Sequence, residues 1–270
     1  MLNEKELQTA KYLSKANIKS LAPSVFSDKP SQDVSSKYTH IPTERVIDDM
    51  ELLGWKPIEA KEVKARKLST RGFQKHLLVF RNDDVVINGK DGDTVFPQIL
   101  LTNSHDGKNA FTFQAGLYRL VCENGLVIAD TQFEDVKMRH MGYTFEDLQM
   151  LIKEMVEKLP LTVESMNQMK EKELEQEQIL AFAKEAINTR FTEKEVNRIK
   201  IDWDAFIEPV RKEDTGKDLW SVFNVVQEKL IEGDFDYTIG GKARKAREIK
   251  NFKQDMKINK ELFELALDYC

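Results

Sequence analysis

Residues 99–130 read I-L-L-T-N-S-H-D-G-K-N-A-F-T-F-Q-A-G-L-Y-R-L-V-C-E-N-G-L-V-I-A-D, the densest mixture of apolar, turn-forming and polar residues in the chain. The run Ile99-Leu100-Leu101 predicts a buried strand. Asn103-Ser104-His105-Asp106-Gly107 is a cluster of turn formers, with a glycine able to take positive φ. Beyond it, Phe113, Leu117, Leu120 and Val121 recur at helical spacing. Asn124-Gly125 reads as a helix stop, and Leu126-Val127-Ile128-Ala129 as another strand. The segment is therefore expected to cross the core three times, strand to helix to strand, with polar residues at both corners.

Upstream, residues 43–53 predict a helix capped by Thr43, with Val46, Ile47, Met50 and Leu53 on one face and Gly54 at the stop. Residues 57–68 read as a charged strand, Ser69-Thr70-Arg71-Gly72 as a turn, and residues 73–81 as an alternating strand. Val85-Val86-Ile87 and Val95-Phe96 flank Asn88-Gly89-Lys90-Asp91-Gly92-Asp93, a second hairpin with two glycines for its tip. Downstream, residues 133–140 read as a last strand. Together these predict an antiparallel or mixed sheet over roughly residues 55–140, with the central helix lying across it.

From Thr144 the period becomes helical. Phe145, Leu148, Ile152, Met155 and Leu159 form a stripe that Pro160 should end. A long helix is expected from Thr162 to near Arg190. Its middle, residues 170–178, is almost all charged or Gln and should face solvent or another subunit. Thr192-Glu193-Lys194-Glu195 is a capping box, and Trp203 and Phe206 return to the core. Residues 219–232 predict a helix with a wide apolar face, residues 237–241 a glycine-bearing loop, and residues 260–268 a final helix. At the other end, residues 3–16 predict a short helix and residues 17–40 an extended arm. The expected fold class is α+β. It comprises an N-terminal helix and arm over residues 1–42, a sheet-containing core over 43–142, and a mostly helical region over 143–270 packing on that core.

With 270 residues, 41% apolar and 32% charged, the chain can bury a sizeable core. A net charge of −5 offers no global field for nucleic acid, so any such surface must be a local patch. The two cysteines, Cys122 on the expected central helix and Cys270 at the end, make neither a disulfide framework nor a C-x-x-C pair. No run approaches the roughly 18 apolar residues of a membrane span. Residues 1–20 lack an apolar leader core, so a cytoplasmic protein is expected, without a cofactor.

Three groups of residues could carry chemistry. At the Asn103–Asp106 corner, His105 beside Asp106 supplies metal-ligand types, and His76 or His140 could approach it. The same residues also suit a tight turn whose side chains bond their own backbone. Arg119, with Glu123 or Asn124, could be a buried pair or a solvent-facing arginine. The third group is cationic. Lys61, Lys64, Arg66, Lys67, Arg71 and Lys75 surround Phe73, the pattern of a hairpin that holds a single strand by charge and ring. Gly240-Gly241 precede Lys242, Arg244, Lys245 and Arg247, a phosphate-binding pattern without the order of a P-loop. The bland alternative for the hairpin cluster is a charged edge strand that blocks aggregation.

The L-T-N-S-H-D-G run, the G-L-Y-R-L-V-C-E-N-G-L run and the later D-L-W-S-V-F-N-V-V-Q-E-K-L-I-E-G run resemble the phage- and plasmid-like proteins grouped as domain of unknown function family 932. The resemblance extends from about Trp55 to Tyr269. It implies a setting, bacterial mobile genetic elements, and no activity or site residue.

Taken with the two basic clusters, that setting leads to the expectation of a non-catalytic protein that binds nucleic acid, most simply single-stranded DNA, in replication or recombination. Its site would comprise Lys64, Arg66, Lys67, Arg71, Phe73, Lys75, Lys242, Arg244, Lys245 and Arg247, with homo-oligomers multiplying a weak patch. Two alternatives stay open. One is a metal-dependent hydrolase or nuclease using His105 and Asp106. The other is an interaction protein or inhibitor that acts on a host factor through the arm.

Overall fold

The structure is a computed structural model, and it describes residues 12–36, 38–65, 67–88, 94–119, 125–126, 136–138 and 144–270. The fold is α+β, with an antiparallel sheet in the N-terminal half and a mostly helical C-terminal part. The chain divides into two compact units: residues 1–125 with 131–159, and residues 126–130 with 160–270. Among the described residues no helix is long and apolar enough to cross a membrane.

In the first unit, α1 (Lys15–Leu21) and α2 (Thr43–Leu52) pack against β1 (Lys56–Glu62). Where an extended arm is expected from residue 17, α1 and a 3-10 turn (Pro23–Phe26) fold down instead. Ile18, Ala22 and Val25 are fully buried there, so apolar burial holds this segment in place.

The sheet contains β2 (His76–Arg81), β3 (Ile87–Asn88), β4 (Thr94–Asn103), β5 (Phe111–Arg119), β6 (Gly125–Leu126) and β7 (Val136–Met138). Its order is β1-β2-β4-β5-β6, with β3 pairing to β4 and β7 to β5. Both strands of the second expected hairpin are present, Ile87 pairing with Val95 and Asn88 with Thr94; its tip, residues 89–93, lies outside the described residues. Pro97 interrupts the middle of β4 without harm. On one side it falls between the end of the pairing with β3, at Val95, and the start of the pairing with β2, at Gln98; on the other it pairs with Leu117 of β5.

The central helix is not there. Residues 111–119 form β5, paired with β4 from Val95↔Arg119 to Thr102↔Thr112. The spacing of Phe113 and Leu117 suits either period. What decides is the alternation of buried Phe111 and Phe113 with less buried Thr112 and Gln114, on a strand flanked by partners. Residues 120–124, including Cys122, lie outside the described residues.

Helix α3 (Phe145–Glu171) runs on through Pro160, the residue expected to end it. An internal proline removes one i→i−4 hydrogen bond, and buried side chains fix the helix on either side of it, Leu148 to Met155 before and Met166 and Met169 after.

In the second unit, the expected continuous helix over 162–190 is broken at residues 172–175. Leu174 N–H donates to the Lys217 carbonyl (3.0 Å) and Leu219 N–H to the Lys172 carbonyl (2.8 Å), while the Leu174 side chain is buried. These bonds to a segment distant in sequence replace helical ones, and α4 (Gln176–Ala186) restarts after a capping box at Glu175. Short helices α5 (Glu193–Val196) and α6 (Trp203–Phe206) flank β8 (Ile199–Ile201).

Helix α7 (Leu219–Glu232) is the spine of this unit. Asp218 caps it by accepting from Ser221 N–H (3.0 Å), and Gly233 ends it at φ 83°. Phe223, Val226 and Leu230 are buried among α4 and α8 (Phe252–Asp268), with Phe182, Leu262 and Phe263. The polar residues of α7 are satisfied internally: Asn224 donates to the Trp220 carbonyl and Gln227 to Asn259 Oδ1. The loop expected at 237–241 is a hairpin of β9 (Asp236–Ile239) and β10 (Lys242–Lys245), closed by Gly240 at φ 58° and Gly241 at φ 77°. Two consecutive left-handed residues make the turn that matches strand twist.

Candidate functional site

The Asn103–Asp106 corner closes β4 and turns inward. Asn103, Ser104 and His105 are fully buried. At the centre of a polar cluster lies Thr43 Oγ1, which is 2.9 Å from His76 Nε2, 3.0 Å from Asn103 Nδ2 and 3.5 Å from His105 Nε2. The sequence pattern makes Thr43 the cap of α2. It stands instead at the first helical position, Pro42 being the cap residue, and its hydroxyl is drawn into this cluster.

The bonds fix a tautomer. His76 Nδ1 lies 3.1 Å from the Gln74 carbonyl, which can only accept, so Nδ1 carries the proton. Nε2 is then an acceptor and receives the Thr43 hydroxyl, whose oxygen in turn accepts from Asn103. Ser24 Oγ also sits 3.1 Å from Nδ1. Burial pushes the His76 pKa down to about 4, against a smaller upward pull from the Gln74 carbonyl. The ring is a neutral, structural imidazole at pH 7.

Three imidazoles gather here. The ring centroids of His76 and His105 are 5.2 Å apart, and those of His40 and His105 are 4.7 Å apart. His76 does approach His105, as the sequence allowed. His40 joins them, which no spacing signal foretold. His140 lies outside the described residues.

His105 and Asp106 do not converge. The Asp106 carboxylate accepts from Ser104 Oγ (2.8 Å) and Lys108 N–H (3.1 Å), while the His105 ring faces Thr43. Among the described residues, no group of three or more His, Cys, Asp or Glu side chains is placed to hold a metal ion. The corner is a turn sewn into a buried network: His105 N–H donates to the Phe73 carbonyl, and Tyr38 OH to the Ser104 carbonyl.

The cations divide between the units. In the first, Lys64, Lys67 and Arg71 are exposed on the loop of residues 63–75 between β1 and β2. Among the described residues none of the three makes an ion pair. Phe73 and Lys75 are half-buried, so Phe73 is not the exposed ring the sequence suggested; the exposed apolar group is Leu68, 88% accessible. Lys61 pairs with Glu59, and Arg66 lies outside the described residues. The loop has its own order: Thr70 Oγ1 donates to the Lys67 carbonyl, and Phe73 N–H to the Thr70 carbonyl.

In the second unit, strand alternation splits the basic run. Register places Lys242 with Ile239 and Arg244 with Tyr237 on one face, and Lys245 with Asp236 on the other. Lys245 is bound to Asp234 at 2.5 Å, which raises the lysine pKa and lowers that of the aspartate. Arg247 follows the strand, and its carbonyl accepts from Arg190 Nη2. The side chain of Arg119 and all of Glu123 and Asn124 lie outside the described residues.

A family model described as domain of unknown function (DUF932) matches residues 31–263. The chain belongs to this family. Among curated relatives of the DUF932 protein, the UPF0380 protein YafZ of Escherichia coli K12 is 30% identical over 263 residues, spanning 94% of this chain and 90% of YafZ. The UPF0380 protein YfjQ of the same organism is 29% identical over the same spans. No solved structure matches.

In this DUF932 protein the three recognisable runs have distinct structural duties. L-T-N-S-H-D-G ends β4 and supplies the buried corner. G-L-Y-R-L-V-C-E-N-G-L begins in the end of β5. D-L-W-S-V-F-N-V-V-Q-E-K-L-I-E-G is α7 with both its caps. The residues that sequence reading missed, Ser24, His40 and Thr43, are single polar side chains brought in from segments distant in sequence. A polar cluster assembled in this way has no linear signature.

Proposed function

We propose that this DUF932 protein binds single-stranded nucleic acid without chemistry, with the loop of residues 63–75 as its principal contact. The observation that carries this reading is local. Lys64, Lys67 and Arg71 are exposed cations without acidic partners among the described residues, in a chain whose net charge is −5. Exposed cations of this kind suit phosphates, and Leu68 beside them offers an apolar contact for a base. Lys242 and Arg244, on one face of β10, are a second and smaller contact. The resemblance supplies only the setting, bacterial mobile genetic elements; single-stranded DNA of replication or recombination in the cytoplasm is the ligand this reading assigns within it. Self-association would multiply the weak loop contact through avidity.

The test is a fluorescence anisotropy titration with a labelled oligothymidylate at two salt concentrations. Three phosphate contacts correspond to a slope of about −2 in log K against log salt for a single strand. The K64E/K67E/R71E variant should lose binding. No binding at low salt, or binding that ignores salt, removes the proposal.

A further inference from the structure

A cavity of about 250 Å³ opens in the second unit between α4, α6 and the segment after it, the loop of residues 214–217 and one face of α7. Its inner surface is aliphatic: Ile179 from α4 and Val222, Val225 and Val226 from α7, all buried. Such a volume is ample for several waters, and apolar walls give those waters few partners. At the rim stand two exposed carboxylates, Asp204 and Glu208, and one exposed ammonium, that of Lys217. Asp214, 2% accessible, is part of the wall and does not belong with them.

The walls are held in place independently of any ligand. Arg211 makes a two-point bond with Glu228 on α7, Nε to Oε2 at 3.2 Å and Nη2 to Oε1 at 3.0 Å. Thr215 Oγ1 donates to the Lys212 carbonyl, and the Lys217 carbonyl accepts from Leu174 N–H. At Gly216 an added Cβ would lie 2.4 Å from Asp218 Oδ2 and 2.8 Å from Ser221 Oγ, the cap pair of α7. A preformed concavity with an apolar body and a few polar groups is the usual anatomy of a small-molecule site.

We propose that this cavity binds an aliphatic amine, its alkyl stem on the valine floor and its ammonium at the Asp204 and Glu208 carboxylates of the rim. An aliphatic acid is repelled by the rim, and an alcohol of the same length gains the floor but not the charge. The reading is independent of nucleic-acid binding, whose principal contact is a loop of the other unit.

The test is calorimetric and ligand-observed NMR titration of the full chain with 1-aminopentane, with methylamine, 1-pentanol and pentanoate as controls. Saturable binding of 1-aminopentane at least about tenfold tighter than each control is expected. Methylamine reports bare attraction of a cation to an acidic protein, and pentanol reports the floor alone. D204N/E208Q, at two exposed positions, should fold as the parent does by circular dichroism and lose about tenfold in affinity. Lys217→Gln should tighten binding by removing the opposing ammonium. The proposal is overturned if 1-aminopentane does not saturate, if methylamine or pentanol binds equally well, or if D204N/E208Q binds as the parent does.

Discussion

Thr43 and His76 meet in the middle of the first unit, hydroxyl to Nε2 at 2.9 Å, and each sets the hydrogen-bonding role of the other. The bond joins the start of α2 to the start of β2. Because Asn103 also donates to the Thr43 oxygen at 3.0 Å, one hydroxyl ties together a helix, a strand and the corner that closes β4.

Thr43→Val keeps the shape and removes the hydroxyl. His76 Nε2 then loses its donor and Asn103 Nδ2 one of its acceptors, in a place water does not reach. The expected loss is about 1–3 kcal/mol in the urea-unfolding free energy. Thr43→Ser, which restores the hydroxyl, should recover most of it. Equal stability of the valine variant and the parent would show that the hydroxyl contributes nothing.

His76 also makes stability depend on pH. Its folded pKa, about 4, lies below the ordinary value of 6.5, so the unfolded chain binds the extra proton more readily. Stability from this group is complete above pH 6.5 and is lost as pH falls from there toward 4. Across that window the loss is on the order of 3 kcal/mol. The rings of His105 and His40 and the carboxylate of Glu62, which accepts from Ser24 N–H at 3.0 Å, share the neighbourhood. Urea midpoints measured between pH 7.5 and 4.5 should show the fall, and His76→Gln should flatten it. An unchanged slope in that variant would assign the titration to another group.

Much of the sheet is legible in the sequence because its strands carry β-branched and aromatic residues between glycine-rich turns. Residues 111–119 are where the pattern misleads, since apolar residues at helical spacing there mask a shorter alternation. Pairing with β4 along most of the strand settles the matter in favour of β structure. Proline misleads in the other direction: Pro160 reads as a stop, yet burial on both sides carries α3 through it. The cationic run after Gly241 shows a further limit. In sequence it is contiguous, but on a strand alternate residues part company, and Lys245 finds Asp234. The histidine cluster is half legible: His76 and His105 stand out as residues that could meet, whereas its hub, Thr43, looks like an ordinary helix cap.

The hairpin turn at Gly240-Gly241 offers a backbone test. Gly241 has φ 77°, and nothing lies within 4 Å of where a Cβ would stand, so conformation alone sets the cost of a side chain there. Gly241→Ala should destabilise by about 1 kcal/mol, and Gly241→Asn by less, because asparagine tolerates the left-handed region better. Thermal melts of the two variants should rank in that order; the reverse order would contradict the turn geometry.

Gly233 poses the opposite case, with conformation and space both against a side chain. Its φ is 83°, and a Cβ would stand 2.8 Å from the Ala246 carbonyl oxygen and from the Arg247 carbonyl carbon. Backbone cannot rotate aside as a flexible side chain can. The close approach is held by Asp234 N–H donating to the Ala246 carbonyl and Ala246 N–H donating to the Phe235 carbonyl at 2.8 Å. Gly233→Ala must therefore separate the end of α7 from the segment that follows β10, at a cost of about 3 kcal/mol or more. The loss should appear as a lowered denaturant midpoint together with weaker amide-exchange protection at Ala246. A variant as stable as the parent would mean that the two segments do not approach in this way.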